Sequence, residues 1–267
     1  MGITIGIDPI IFRVGGFALS WYSLVVMLAA ATGITVALKV GAERGFKKDE
    51  VLNLMSWVLI AALVGSRLFH VVDLWDYYVQ NPSQIFMLWH GGLAIWGGVT
   101  GALVTVVVYA YLRKLPVWRL LDVMALALLS GQIIGRIACV INGDEAGKVT
   151  SLPWGFIYTN PDSPLPLESL RNVPTHPYAV YEMIWNGLTL LFLWRMRKRV
   201  KVEGQLFLYY AALYSMARFF LTYVRVQREY AFGLQQAQWI ALLMMVVVLV
   251  TGLYLLRKTK PAEERPA

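Results

Sequence analysis

Charge is scarce in this chain of 267 residues: Asp, Glu, Lys and Arg together make up 15% of it, against 58% hydrophobic residues. A soluble domain carries about 25% charged residues, so the composition excludes a disordered chain and argues against a soluble two-domain enzyme. Cys139 is the one cysteine, which excludes an internal disulfide and a cysteine-cluster metal site. The three histidines, His70, His90 and His176, stand at no ligand spacing, so no metal is expected. GxSxG, P-loop and dinucleotide fingerprints are absent, as are internal repeats and low-complexity tracts. Residues 1–16 lack a basic leader, so no cleavable signal peptide is expected.

What the chain has is apolar length. A bilayer core about 30 Å thick needs about 20 apolar residues as a helix. Seven stretches qualify: Gly16–Leu38, Val51–Val72, Leu93–Leu112, Leu120–Ile141, Pro177–Trp194, Gly204–Val224 and Ala237–Leu256. The first, third and last contain no charged residue, and Pro177–Trp194 is the shortest of the rest. The expected fold is an all-α integral membrane protein with about seven transmembrane helices and a small external cap. One polytopic domain covers 1–256, the cap covers about 142–176, and a short cytoplasmic tail covers 257–267. The cap segment is rich in Pro, Asn, Asp, Ser and Gly, which favours turns and a short hairpin over helix.

Lysine and arginine sort between alternate connections. Lys39, Arg44, Lys47 and Lys48 lie in one, and Arg113, Lys114 and Arg119 in the next but one. Arg195, Arg197, Lys198, Arg199 and Lys201 follow, and Arg257, Lys258, Lys260 and Arg265 end the chain. These are sixteen of the 24 basic residues, while residues 73–92 hold none. Basic loops face the cytoplasm, so the N-terminus is expected outside and the C-terminus inside. The net charge of +8 is then a topology signal, and no nucleic-acid partner is expected. Trp75, Tyr77, Tyr78 and Trp89 crowd the basic-free connection, as suits an arm in the headgroup zone.

Three arginines, Arg67, Arg136 and Arg218, fall inside apolar stretches. Each costs about 2.5–3.5 kcal/mol at a helix centre on the insertion scale. By the expected topology all three sit toward the outer end, either snorkelling or converging on a polar cavity that opens to the outer leaflet. Tyr214, Arg218, Thr222 and Arg225 recur at helical spacing and share one stripe. Arginines in such a cavity suit a phosphate, because the planar fork donates two parallel hydrogen bonds and keeps its proton. The fourth stretch runs into GRIACVINGDEAG, residues 135–147, where Asn142, Gly143, Asp144, Glu145 and Gly147 break the helix. Irregular backbone at membrane depth is tolerated where it is buried in protein or lines a cavity. HGGLAIWGGVTG, residues 90–101, offers Gly97 and Gly98, which suit close helix packing or a lipid tail. His176 precedes Pro177 and the pair Tyr181–Glu182.

These segments, in this order, resemble the bacterial phosphatidylglycerol–prolipoprotein diacylglyceryl transferase family over nearly the whole chain. IDPIIFRVGGFALSWYSL, with Tyr22, resembles the family's opening, and VGSRLFHV places Arg67 at its second-span arginine. GGLAIWGG, GRIACVINGDEAG, THPYAVYE and GQLFLYYAALYSMARFFLTYVR resemble its later motifs, with Gln238 before the last span. The resemblance implies an enzyme of the bacterial inner membrane. It moves the diacylglyceryl group of phosphatidylglycerol to the lipobox cysteine of a prolipoprotein signal peptide. A thioether forms and sn-glycerol-1-phosphate leaves, with no cofactor. Carried over to this chain, the catalytic residues are Tyr22, Arg136, Asp144 and Arg218. Arg136, Asn142, Gly147, Arg67, Tyr214, Arg225, Gly97, Gly98 and His176 bind substrate. Three positions depart from the family's pattern. Trp96 stands where many members have histidine, Cys139 where many have asparagine, and Asp144 where many have glutamate. Tryptophan cannot act as a base, so the thiol proton must leave by another route. A lipid or anion transporter without chemistry is the rival reading, and a member that has lost activity is a third.

Overall fold

The computed structural model describes residues 2–15, 17–87, 91–227 and 230–259; Gly16, Trp89 and His90 and the residues from 260 on lie outside them. The protein is mostly helical. Among the described residues, five helices are long and apolar enough to cross a bilayer: α1 (Trp21–Glu43), α2 (Lys48–Asp73), α4 (Ile95–Leu112), α5 (Val117–Asn142) and α8 (Gln236–Thr259, over Gln236–Leu255). A short α3 (Trp75–Gln80) follows α2. Two further helices, α6 (Tyr178–Met196) and α7 (Gln205–Leu221), coincide with the fifth and sixth apolar stretches. The last helix continues to Thr259, so the first residues of the expected tail are helical.

The chain forms two compact units, residues 37–123 and residues 1–36 with 124–267. In the unit 37–123, α2 packs on α4 through small residues. A side chain on Gly97 would strike the carbonyl of Gly65, and one on Gly101 would come within 2.5 Å of the Ala61 carbonyl oxygen. Lipid tails supply no hydrophobic drive between helices, so close backbone approach and van der Waals contact hold such a pair. Gly98 faces Ser66 in the same contact. The two glycines expected to touch substrate are therefore helix-packing surface.

Arg67 closes this unit. It is buried at 6% exposure, and backbone carbonyls take all its donors. Nε donates to Ile85 (2.8 Å), Nη1 to Gly91 (2.7 Å) and Gly92 (3.0 Å), and Nη2 to Gln84 and Met87. Its guanidinium also lies 5.2 Å from the Tyr78 ring centroid. With its hydrogen-bonding edges so filled, Arg67 clamps Gln84, Ile85, Met87, Gly91 and Gly92. Trp75, Tyr77 and Val79 of α3, with Phe86, are exposed.

In the other unit the chain starts as strand. β1 (Ile3–Ile5) pairs in parallel with β4 (Phe156–Tyr158), in the register Ile3↔Phe156 to Ile5↔Tyr158. β2 (Ile10–Val14) and β3 (Phe17–Ser20) form an antiparallel hairpin that turns at Gly15, φ +58°. The helix of the predicted first span thus begins at Trp21, five residues after Gly16. Ser20 supplies the reason, because its Oγ accepts the Ser23 N–H (3.2 Å) as an N-cap. The segment 143–177 contains no hairpin of its own; its strand borrows β1 from 150 residues upstream, and isolated bridges Val149↔Thr175 and Phe156↔Thr175 tie it further. Ile5, Ala146, Tyr158 and Leu170 form its small core. α6 packs on α7, and α7 on α8.

The glycine contacts predict a contrast. Gly97→Val should overpack α2 against α4, lower thermal stability by about 1–3 kcal/mol or more, and cut the yield of membrane-inserted protein. A Cβ at Gly187 on α6 meets nothing within 4 Å, so Gly187→Ala should hold or raise the melting temperature. Thermal unfolding of the two purified variants checks both; equal melting temperatures would remove Gly97 from the packing role.

Candidate active site

The site is built on α5, α6, α7 and the turn after α5. Helix α5 brings up Arg136 one and a half turns before its end at Asn142. There Gly143, at φ +80°, turns the chain, a backbone conformation that L side chains avoid. A Cβ at this position would also meet the Tyr158 ring. The Asp144–Glu145 pair follows, and the turn is pinned after it. Gly147 N–H donates to the His176 carbonyl (3.0 Å) and Lys148 N–H to that of Val224 (2.8 Å). Gly147 is squeezed between His176 and Val224, where a Cβ would lie 2.7 Å from each. Its smallness serves this junction of three chain segments.

Helix α6 starts with Tyr178 and buries Glu182 at 3% exposure. Helix α7 carries Tyr214 and Arg218 one turn apart, and Arg225 follows past its end. The charged groups interlock in an alternating row. Glu182 Oε1 accepts from Arg218 Nη1 (2.8 Å) and from the Tyr178 hydroxyl (2.8 Å), and Glu182 Oε2 pairs closely with Arg136 Nη2. Arg136 Nη1 pairs with Glu145 Oε2 (3.0 Å), and Glu145 Oε1 accepts from Arg225 Nη2 (2.8 Å). Arg218 Nη1 also donates to the Tyr178 hydroxyl (2.7 Å), and Arg225 stacks 5.3 Å from the Tyr178 ring centroid. The row runs Arg218–Glu182–Arg136–Glu145–Arg225, three cations to two anions.

The remaining candidates group around this row. Tyr214 lies 5.9 Å from the Arg218 guanidinium carbon and stacks on Tyr210, whose hydroxyl accepts from Gln132 Nε2 (2.8 Å). Tyr22, in the first turn of α1, is within electrostatic reach of Arg136, Cys139, Asp144 and Glu145. Cys139 Sγ is 3.9 Å from Arg136 Nη1. Asn142 Oδ1 and Asp144 Oδ1 are buried acceptors with no hydrogen-bond partner. Burial, reinforced by the neighbouring Glu145, pushes the Asp144 carboxyl up to about 6. His176 sits at the edge, its Nδ1 3.2 Å from the Tyr181 hydroxyl, which accepts from Trp154 Nε1 (3.0 Å). Burial lowers the His176 imidazole below its usual range. Of the expected residues, Arg136, Arg218, Arg225, Tyr214, Tyr22, Asn142, Asp144, Gly147 and His176 thus belong to one unit with the row. Arg67, Gly97 and Gly98 belong to the other unit.

Sequence reasoning passed over two members. Tyr178 and Glu182 had no role beyond a possible counter-charge, yet they join Arg136 to Arg218. The available signal was a carboxylate inside an apolar helix, as costly as the arginines and requiring a partner. Gln238 gains a physical account too. At 1% exposure, its Nε2 donates to the Phe219 carbonyl (3.1 Å) and its Oε1 accepts the Gln235 N–H (2.9 Å). Gln235 in turn donates to the Arg225 carbonyl (3.2 Å). The pair braces the backbone that presents Arg225.

Such a row has the makings of an oxyanion-phosphate site: clustered guanidiniums, buried, beside a carboxylate with one oxygen unpartnered. Comparison with known proteins agrees with it. Phosphatidylglycerol–prolipoprotein diacylglyceryl transferases from three bacteria are similar along most of their length. The one from Dehalococcoides mccartyi is 34% identical over 263 residues, 97% of this chain and 98% of the relative. The one from Acaryochloris marina is 32% identical over 95% of this chain and 93% of the relative. The one from Lactiplantibacillus plantarum is 34% identical over 80% and 77%. The family model described as prolipoprotein diacylglyceryl transferase matches residues 9–254, a span that takes in both arginine helices and the turn between them, and this chain therefore belongs to that family of membrane enzymes.

Proposed function

We propose that this enzyme transfers the diacylglyceryl group of phosphatidylglycerol to the lipobox cysteine of a prolipoprotein signal peptide. The arginine–carboxylate row carries the proposal, because it supplies fixed positive charge where a phosphate ester must bind and leave. The cysteine thiolate attacks the glyceryl carbon attached to phosphate oxygen. The S–C bond forms, the C–O bond breaks, and sn-glycerol-1-phosphate departs with the electron pair. Arg136 and Arg218 stabilise the charge that grows on the leaving phosphate, with Arg225 farther along the row. Tyr22, Tyr214, Asn142 and His176 line the approach.

The thiol must lose its proton, since a free thiol near pH 8.5 is mostly neutral at pH 7. Asp144 is the proposed acceptor. Its raised carboxyl is matched to proton transfer near neutral pH, and its Oδ1 has no other partner. Trp96 has no such capacity. The topology proposed for this chemistry has seven spans and the N-terminus outside. It puts the segment 142–176 on the external face as a cap, within a single membrane domain over 1–256. The donor lipid then comes from the outer leaflet.

Three tests follow from this reading. A reporter fused after Arg257 should be cytoplasmic and one inserted near Ser163 external; the reverse pattern rules out an outer-leaflet site. In the second, purified protein is incubated with phosphatidylglycerol and a lipobox peptide, and the mass gain on the peptide cysteine is scored. Arg136→Ala should lower transfer by about 10²–10³-fold when rates are normalised to folded, membrane-inserted protein. Arg136→Lys should rescue poorly, because a point charge lacks the fork. Full turnover in both variants would take Arg136 out of the site. The third is a pH–rate profile. Asp144 is deprotonated above a pH of about 6, so wild-type activity should rise with pH through that value. Asp144→Asn should lose most activity at pH 7 and regain part of it above the thiol pKa. A mutant with a flat profile would make Asp144 structural.

A further inference from the structure

The two carboxylates of the row are not equivalent. Glu182 lies in the interior of a helix, is 3% exposed, and makes three contacts, to Arg136, Arg218 and Tyr178. Glu145 lies on the turn past the end of α5 and makes two, one with each oxygen, to Arg136 and Arg225. A carboxylate shared this way, one oxygen to each of two guanidiniums, is the contact pattern of a bridging phosphate. The two non-bridging oxygens of a phosphodiester also share one negative charge and match the arginine fork. Of the two terminal nitrogens of Arg136, Nη2 is held by Glu182 and Nη1 faces both Glu145 and Cys139.

We infer that Glu145 is a placeholder: its carboxylate occupies the position of the donor's phosphate between Arg136 and Arg225, and the incoming anionic lipid displaces it. Glu182 is the positioning residue that stays and keeps Arg136 and Arg218 aligned. This rests on the transferase reading for the identity of the anion. Displacement needs no opening of the turn. The backbone is pinned at Gly147 and Lys148, while the Glu145 side chain has three rotatable bonds and can swing away alone. The incoming charge matches: a phosphodiester monoanion takes over the single negative charge that Glu145 presents to Arg136 and Arg225. In the absence of donor, Glu145 spares Arg136 and Arg225 the cost of lying desolvated and unpaired.

The placeholder role makes a prediction opposite to that for a binding residue. Removing the competitor should tighten the site. Wild-type, Glu145→Gln and Glu182→Gln proteins are compared for KM toward phosphatidylglycerol and for inhibition by sn-glycerol-1-phosphate. Direct calorimetric binding of sn-glycerol-1-phosphate, which needs no turnover, is measured alongside. In Glu145→Gln, KM, Ki and Kd should each fall by about threefold or more, the equivalent of deleting one partly shielded ion pair. In Glu182→Gln, kcat should fall while the anion binds no more tightly, because the arginines lose their common anchor. If Glu145→Gln inserts poorly, Glu145→Asp replaces it. The shorter side chain cannot bridge both arginines, and the constants should move the same way. Constants equal to or above wild type in the variant tested overturn the inference. Wild-type protein that binds the anion but modifies no peptide would refute the transferase reading and leave the binding comparison to decide on Glu145.

Discussion

A guanidinium cannot be carried into an apolar medium alone. It keeps its proton, so it must be matched by acceptors that remain beside it. This constraint is met in two ways within one chain. Arg67 is surrounded by peptide carbonyls, dipoles that solvate the charge without neutralising it. Arg136, Arg218 and Arg225 are matched by carboxylates, which neutralise most of their charge. The first solution is closed and structural. The second holds its arginines against a partner that another anion can replace, and that is the property a site for an anionic substrate requires.

The same constraint explains how the elements around the row are built. Glu182 is itself too costly to bury unless both its oxygens are occupied, and α6 places it where two arginines and the Tyr178 hydroxyl converge. Breaking a buried pair by removing one partner costs about 3–5 kcal/mol. Substitutions in the row therefore bear on stability as well as chemistry. The supports lie outside the charges. Gly147 lets three segments meet, Gly143 reverses the chain after α5, and Gln235 with Gln238 braces the carbonyls around Arg225. The charged groups are fixed by packing, ion pairs and hydrogen bonds, and the Glu145 side chain is held by its two arginines.

Trp96 and Cys139 bear on how this member does the family's work. Cys139 lies beside Arg136, but its thiol offers only a weak contact where an asparagine amide would donate and accept strongly. Asp144 keeps a carboxylate at the turn, in surroundings that hold its proton affinity near neutrality. A second acid, Glu145, stands on the same turn.

Much of this could be read from the sequence alone. Apolar runs about one bilayer long, the alternation of basic connections and the three misplaced arginines are one-dimensional signals. Each follows from what a single segment costs to bury. The ordered motifs led to the family. Pairing was another matter. Arg218 meets Glu182 across 36 residues and Arg225 meets Glu145 across 80, and no periodicity reports which buried charge faces which. The equal-looking arginines of the sequence separate into a clamp and a row only when their acceptors are known. Gly97 and Gly98 looked open to a lipid until the Gly65 and Ser66 backbone and side chain were set against them. Strand β1 was invisible because its partner lies some 150 residues away and supplies half the hydrogen bonds. Composition and spacing determined what kind of medium the chain inhabits and which residues are out of place in it. Only the tertiary structure decided what each of those residues is paired with, because pairing energy depends on distance between helices that the sequence does not contain.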